Sequence, residues 1–171
     1  MEIVKELIEE PDLQIRAKAY SLFEKVIELA DNRFEKQITE IIELGIDKGP
    51  DFVSASAVKN LLKLAKMNRP VATSILKTLS AHKEWRVRYS ICHNIKEIGE
   101  EFGRKLFKAF VVKCLSEYLI DQNSETRIGA LDALPIASAF MDTETICTKL
   151  IPCLKHLVND AELPVRLIKV N

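Results

Sequence analysis

An arginine that follows a mostly β-branched residue recurs along the chain, at Ile15-Arg16, Val87-Arg88, Thr126-Arg127 and Val165-Arg166. The last two steps are 39 residues each, and the step from 16 to 88 is 72. Two units fill that longer step if Val53-Ser54 stands where a further pair would fall, 38 residues after the first and 34 before the next. A fixed period in this range constrains the fold strongly. Each unit is one supersecondary element that buries its apolar side by stacking on its neighbours.

The residues around each arginine have helical periodicity. In 12–30, Ile15, Ala19, Leu22, Phe23, Val26 and Ala30 fall on one stripe, with Asp12 as N-cap and Pro11 ending what precedes. Val87, Ile91, Ile95 and Ile98 make the same stripe, and Ala130, Ala133, Leu134, Ala137 and Phe140 repeat it. A second apolar helix precedes each start. Ile151, Leu154, Leu157 and Val158 lead into Asn159-Asp160 and then a new helix, and 114–127 has the same layout. Asp121 stands six residues before Arg127, Asp160 six before Arg166, and Glu10 six before Arg16. Each unit therefore reads as two antiparallel helices joined by a short loop. The spacing places helix pairs at 2–9 and 12–30, 34–46 and 51–66, 70–81 and 84–99, 103–120 and 124–140, and 143–159 with 162 onward. The corresponding units are about 1–30, 34–66, 70–99, 103–140 and 143–171. Neither end carries a polar capping helix, so the expectation is a piece of a longer array.

Composition agrees with an all-α protein. Apolar residues are 47% of the chain, while five glycines and six prolines leave few places for the turns of an all-β fold. Lys+Arg and Asp+Glu are both 25, without the basic excess that phosphate backbones select, so nucleic acid is not an expected partner. No run of 18 apolar residues occurs and the acidic, amphipathic N-terminus is no signal peptide, so the expectation is no membrane span and a cytoplasmic or nuclear location. Cys92, Cys114, Cys147 and Cys153 form no CxxC pair and lie in apolar helical patterns, as small reduced core residues. His82, His93 and His156 are scattered, so neither a metal site nor a cofactor is expected. Gly-rich phosphate loops, HExxH and GxSxG are absent, no small-molecule substrate is implied, and the chain reads as a non-enzyme without catalytic residues.

The tetratricopeptide and ankyrin signatures are missing. The Asp-x-x-x-x-[Val/Ile]-Arg layout between two apolar helices resembles HEAT repeats, which implies an αα superhelix of about five helix pairs. The segment KEWRVRYSICHNIKEIGEEFG (83–103) is more specific. Trp-Arg-Val-Arg at such a loop, then a helix, then Gly, resembles the scaffold (A) subunits of type 2A protein phosphatases. FVVKCLSEYLIDQNSETRIGALDALPIAS and TKLIPCLKHLVNDAELPVR continue the likeness, so it covers about 80–167. Units one and two match only the generic HEAT pattern.

That resemblance implies a scaffold whose within-repeat loops bind phosphatase catalytic and regulatory subunits, and it maps partner contacts onto Trp85 and Arg86. Trp and Arg are also the types most enriched in interface hot spots, although Trp85 has an alternative place as local core. Arg16, Arg88, Arg127 and Arg166 have two readings. They form either a basic ladder for an acidic partner or a structural ladder reaching Glu10, Asp121 and Asp160, and the recurrence of the acids favours the structural one. Pro135 and Pro152 fall inside helices and imply bends. Two other functional classes remain open on sequence. One is a HEAT adaptor of the nuclear-transport or chromosome-organising kind. The other is a HEAT-like DNA glycosylase, which the zero net charge and 6% aromatic content disfavour.

Overall fold

A computed structural model describes residues 2–48 and 51–167, without the side chains of 47–56 and 167. Helices account for nearly all of the described chain, and no strand occurs among those residues. In order they are α1 (Glu2–Glu9), α2 (Leu13–Leu29), α3 (Glu35–Lys48), α4 (Asp51–Met67), α5 (Arg69–Ser80), α6 (Trp85–His93) and α7 (Ile95–Phe102). There follow α8 (Arg104–Tyr118), α9 (Ser124–Ser138), α10 (Thr143–Thr145), a π-helical turn at Ile146–Leu150, α11 (Ile151–Leu157) and α12 (Leu163–Leu167). The chain divides into two compact units, Met1–Val87 and Arg88–Asn171.

In the first unit, helix starts follow local chemistry. The Asp12 carboxylate accepts the N–H groups of Gln14 and Ile15 and opens α2. Asn68 accepts from the Val71 N–H and opens α5, with a proline in its first turn where no N–H is missed. α1 packs on α2 and α3, α2 on α4, and α4 on both α3 and α5. The buried stripe of α2 is Ala19, Tyr20, Phe23 and Ile27. It is rotated from the expected one: Ala19 and Phe23 face inward, but Ile15 and Leu22 are 40% and 47% exposed. The reason is that α2 meets both α1 and α4. A face shared by two neighbours favours the broad Tyr20 and Ile27 over the line through Leu22. Gly45, inside α3, makes this possible. A Cβ there would lie 2.4 Å from the Tyr20 ring edge and hydroxyl.

In the second unit, α7 packs on α8 and α9, α8 on α9 and on the π-helical turn, and α12 on α9. Ile91, Ile95 and Ile98 are fully buried, as is Val87 at the end of the first unit. The helix carrying them is interrupted at Asn94, whose backbone leaves the helical region (φ −105°, ψ 21°). Its side-chain amide donates to the Ser90 carbonyl at 2.7 Å, while the Asn94 N–H also bonds Ser90 and the Ile98 N–H bonds Asn94. Such back-bonding bends a helix without breaking its ladder. α7 then runs to Phe102, beyond the expected 99, and stops at Gly103, whose φ of 81° suits glycine. Pro135 lies inside α9. Pro152 follows the turn at Ile146–Leu150, where the Ile151 N–H bonds the carbonyl of Ile146. Pro152 has no N–H to offer the Thr148 carbonyl four residues back, and the turn that precedes it is the wider kind, closed five residues back.

Cys92 and Cys114 are buried, as the apolar pattern requires. Burial pushes both the Cys92 thiol and the nearby Tyr118 hydroxyl up from their ordinary values. Cys147 and Cys153 depart from the expectation: the first is exposed and the second half-exposed. Cys147 lies within the π-helical turn, which shifts the register of the inward face to Leu150. Ile151 and Val158 are likewise exposed, while Leu157 is buried.

Candidate functional site

The α8–α9 and α11–α12 loops are built alike. In the first, Asp121 Oδ1 accepts the Asn123 N–H at 2.9 Å, and Asn123 Oδ1 accepts the Glu125 and Thr126 N–H groups that open α9. In the second, Asp160 Oδ1 accepts the Glu162 N–H at 2.9 Å. The arginine six residues on reaches back to the loop's own carbonyls. Arg127 Nη1 donates to Asp121 and Gln122 at 2.8 and 3.2 Å, and Arg166 Nη1 donates to Asp160 and to Ala161. An aspartate side chain thus turns the chain, and an arginine fork closes the turn.

Each aspartate also takes an arginine from 33 residues upstream. Arg88 Nε and Nη2 donate to the two carboxylate oxygens of Asp121 at 2.7 and 2.8 Å. Arg127 Nη2 donates to Asp160 Oδ1 at 2.7 Å. Arg127 is therefore a link in both directions, its own loop's carbonyls on one side and the next loop's carboxylate on the other. The side chains are little exposed: 16% and 9% for Arg88 and Asp121, 11% and 8% for Arg127 and Asp160. The Arg127 hydrogen bond holds the Asp160 carboxyl below its ordinary value, against an opposing push from burial. Guanidinium groups engaged in this way point into the protein. Arg88 and Arg127 act as stitches between loops, while Arg166 is exposed and bonds its own loop. Arg16 donates its backbone N–H to the Asp12 carbonyl in the first turn of α2. The side chains of Val53 and Ser54 lie outside the described residues.

The loop before α6 uses a different residue. His82 stands six residues before Arg88, where the other two loops have aspartate. Its Nδ1 accepts the Glu84 N–H at 3.2 Å, the same i to i+2 bond. The spacing could have flagged His82, since it holds the loop position of Asp121 and Asp160. Trp85 begins α6 directly after this loop. It is half-buried and Arg86 is exposed, with the Arg86 guanidinium 4.6 Å from the centroid of the Trp85 ring. Stacking of this kind orients the two side chains as one unit. Trp85 and Arg86 thus form a connected, partly accessible pair, held over a loop ordered by bonds of His82 to Leu79 and Val87 to Glu84.

Sequence reasoning did not find three other bridges. Lys5 pairs with Glu40, Lys63 with Glu28 at 2.7 Å, and Lys108 with Asp142. Lysine and glutamate are too common on helix surfaces for a spacing of 34 to 35 residues to stand out. No group of three or more His, Cys, Asp or Glu residues gathers as a metal site among the described residues. No helix among them is long and apolar enough to cross a membrane. Scanning family models and searching curated proteins find no match to the chain.

Proposed function

We propose that the chain is a stack of HEAT-type helix pairs forming a solenoid, and that it works as a non-catalytic, protein-binding scaffold. The kind of scaffold it most resembles is a scaffold or regulatory subunit of a type 2A-like serine/threonine protein phosphatase. The observation that carries this reading is the repetition of one loop design at a 39-residue step: Asp121 and Asp160, each bonded by the arginine six residues later and the arginine 33 residues earlier. Such loops are rigid, closely spaced supports. Rigid loops suit recognition, because little conformational entropy is lost on binding.

In this reading the within-pair loops face partners, and Trp85 with Arg86 supplies one contact. A half-buried indole stacked on a guanidinium offers apolar area and a charged edge at low ordering cost, the combination that hot spots favour. The partners are phosphatase catalytic and regulatory subunits, and the working location is cytoplasmic or nuclear. Affinity capture with the full chain, followed by identification of what is retained, tests the reading. It predicts a type 2A-like catalytic subunit among the captured proteins. Retention of nuclear-transport cargo or chromosome-organising subunits, without a phosphatase, would replace it with a different adaptor role.

A further inference from the structure

A second surface lies in the second unit, at the end of α8 away from the Asp121 loop. α8 has 15 residues, so its two ends are about 20 Å apart at 1.5 Å per residue. Its first turns carry Arg104, Lys105 and Lys108, which line a groove of about 450 Å³ with Phe140, Met141 and Asp142 from the turn after α9. Phe140 is fixed there against Phe107, ring centroids 4.6 Å apart, so the apolar floor is preformed. Lys108 is neutralised by Asp142. Arg104 spends one donor on the Ala139 carbonyl at 3.3 Å, which carries no net charge. Lys105 is exposed and makes no ion pair among the described residues. The groove therefore holds two uncompensated cations beside an apolar floor. Beyond the Lys108–Asp142 pair a second groove, lined by Val112, Thr148 and Lys149, continues the track with one more cation.

We propose that this groove binds an acidic linear segment of a partner protein, with Arg104 and Lys105 taking its carboxylates and Phe140 with Met141 taking one large apolar side chain. Charge complementarity selects the acidic character, and the preformed aromatic floor selects the apolar residue. Asp142 is paired with Lys108, and Glu144 stands on the wall of the second groove, so the positive charge along the track is interrupted, which suits separately spaced carboxylates better than a continuous phosphate backbone. The surface uses neither Trp85 nor Arg86, so it goes beyond the scaffold reading and stands or falls without it.

The test is fluorescence anisotropy on the full chain with a labelled peptide in which a leucine is flanked by alternating Asp and Glu. Arg104 and Lys105 are exposed, so the double change Arg104→Glu with Lys105→Glu leaves the core untouched. It should weaken binding by about tenfold or more, and replacement of the peptide's leucine by glycine should weaken it several-fold. If the double reversal disturbs the circular dichroism melt, Arg104→Gln with Lys105→Gln gives a second reading, with a smaller loss in the same direction. Equal binding of a peptide with Asn and Gln in place of the acids would overturn the proposal. So would unchanged affinity of the double variant, or tighter binding of a single-stranded oligonucleotide that the same variant loses.

Discussion

Both units tie residues 33 to 35 apart with lysine bridges, Lys108–Asp142 being that of the second, and the second unit adds arginine. In the first, Lys63 reaches Glu28 and Lys5 reaches Glu40, and the carboxylates are 64% and 42% exposed. In the second, Arg88 and Arg127 reach aspartates that are nearly buried. Arginine's planar fork can serve a carboxylate and neighbouring carbonyls together, so most of its donors stay bonded out of water, with Arg127 Nε the exception. Lysine is a compact, strongly hydrated charge and keeps its bridges at the surface. The first unit has its buried polar groups elsewhere. Asn60 is fully buried, and the Tyr20 hydroxyl lies beside its amide without a hydrogen bond of good geometry.

The sharpest way to break that contrast is Arg127→Ala. It strands the Asp160 carboxylate and removes the donors from the Asp121 loop, and should cost about 3 kcal/mol in urea unfolding. A loss no larger than that of a surface lysine would mean the stitches are decorative. Next in size is Gly45→Ala in the other unit. Overpacking against Tyr20 costs about 1–3 kcal/mol, partly offset by about 1 kcal/mol of helix propensity. The net loss, up to about 2 kcal/mol, should shrink when combined with Tyr20→Phe, which removes one of the contacting atoms. Additive losses in that double-mutant cycle would contradict the tight Gly45–Tyr20 contact.

Acid sharpens the comparison further. Asp160 is depressed in the folded protein by its Arg127 bond. Its contribution is therefore present above the unfolded carboxyl pKa, near about 4, and is lost as pH falls below that value through the folded one. The stability gap between wild type and Arg127→Ala should narrow as pH drops below about 4. A gap independent of pH would show that the charge on Asp160 does not matter. The smallest effects belong to groups at the surface, Arg104 exposed and Lys63 half-buried. Arg104→Ala should change stability by no more than about 0.5 kcal/mol, and Lys63→Ala should leave the urea midpoint within error.

Helix positions were legible because apolar residues recur at helical spacing and Asp, Asn, Pro and Gly mark the ends. The loop aspartates were legible because they sit at a constant six residues from an arginine. Which arginine each carboxylate binds was not. Six residues of turn and first helical coil carry Arg127 past the Asp121 side chain to its carbonyl, leaving the carboxylate to Arg88. The rotation of α2 was hidden because Leu22 and Tyr20 are both apolar enough to face inward, and only the packing of α1 and α4 decides between them. The bend at Asn94 was hidden because one side-chain bond to Ser90 sets it within an otherwise unbroken apolar stripe. His82 was overlooked because a ring nitrogen there takes the acceptor's place that an aspartate carboxylate holds in the other turns.

The scaffold reading is tested most directly by the affinity of a purified type 2A-like catalytic subunit for the full chain and for the double variant Trp85→Ala with Arg86→Ala. Measured by calorimetry beside a thermal melt, the variant should bind more weakly by about 2 kcal/mol or more, with its melting temperature nearly unchanged. Unchanged affinity would contradict the account, and a large drop in melting temperature would show instead that Trp85 belongs to the core.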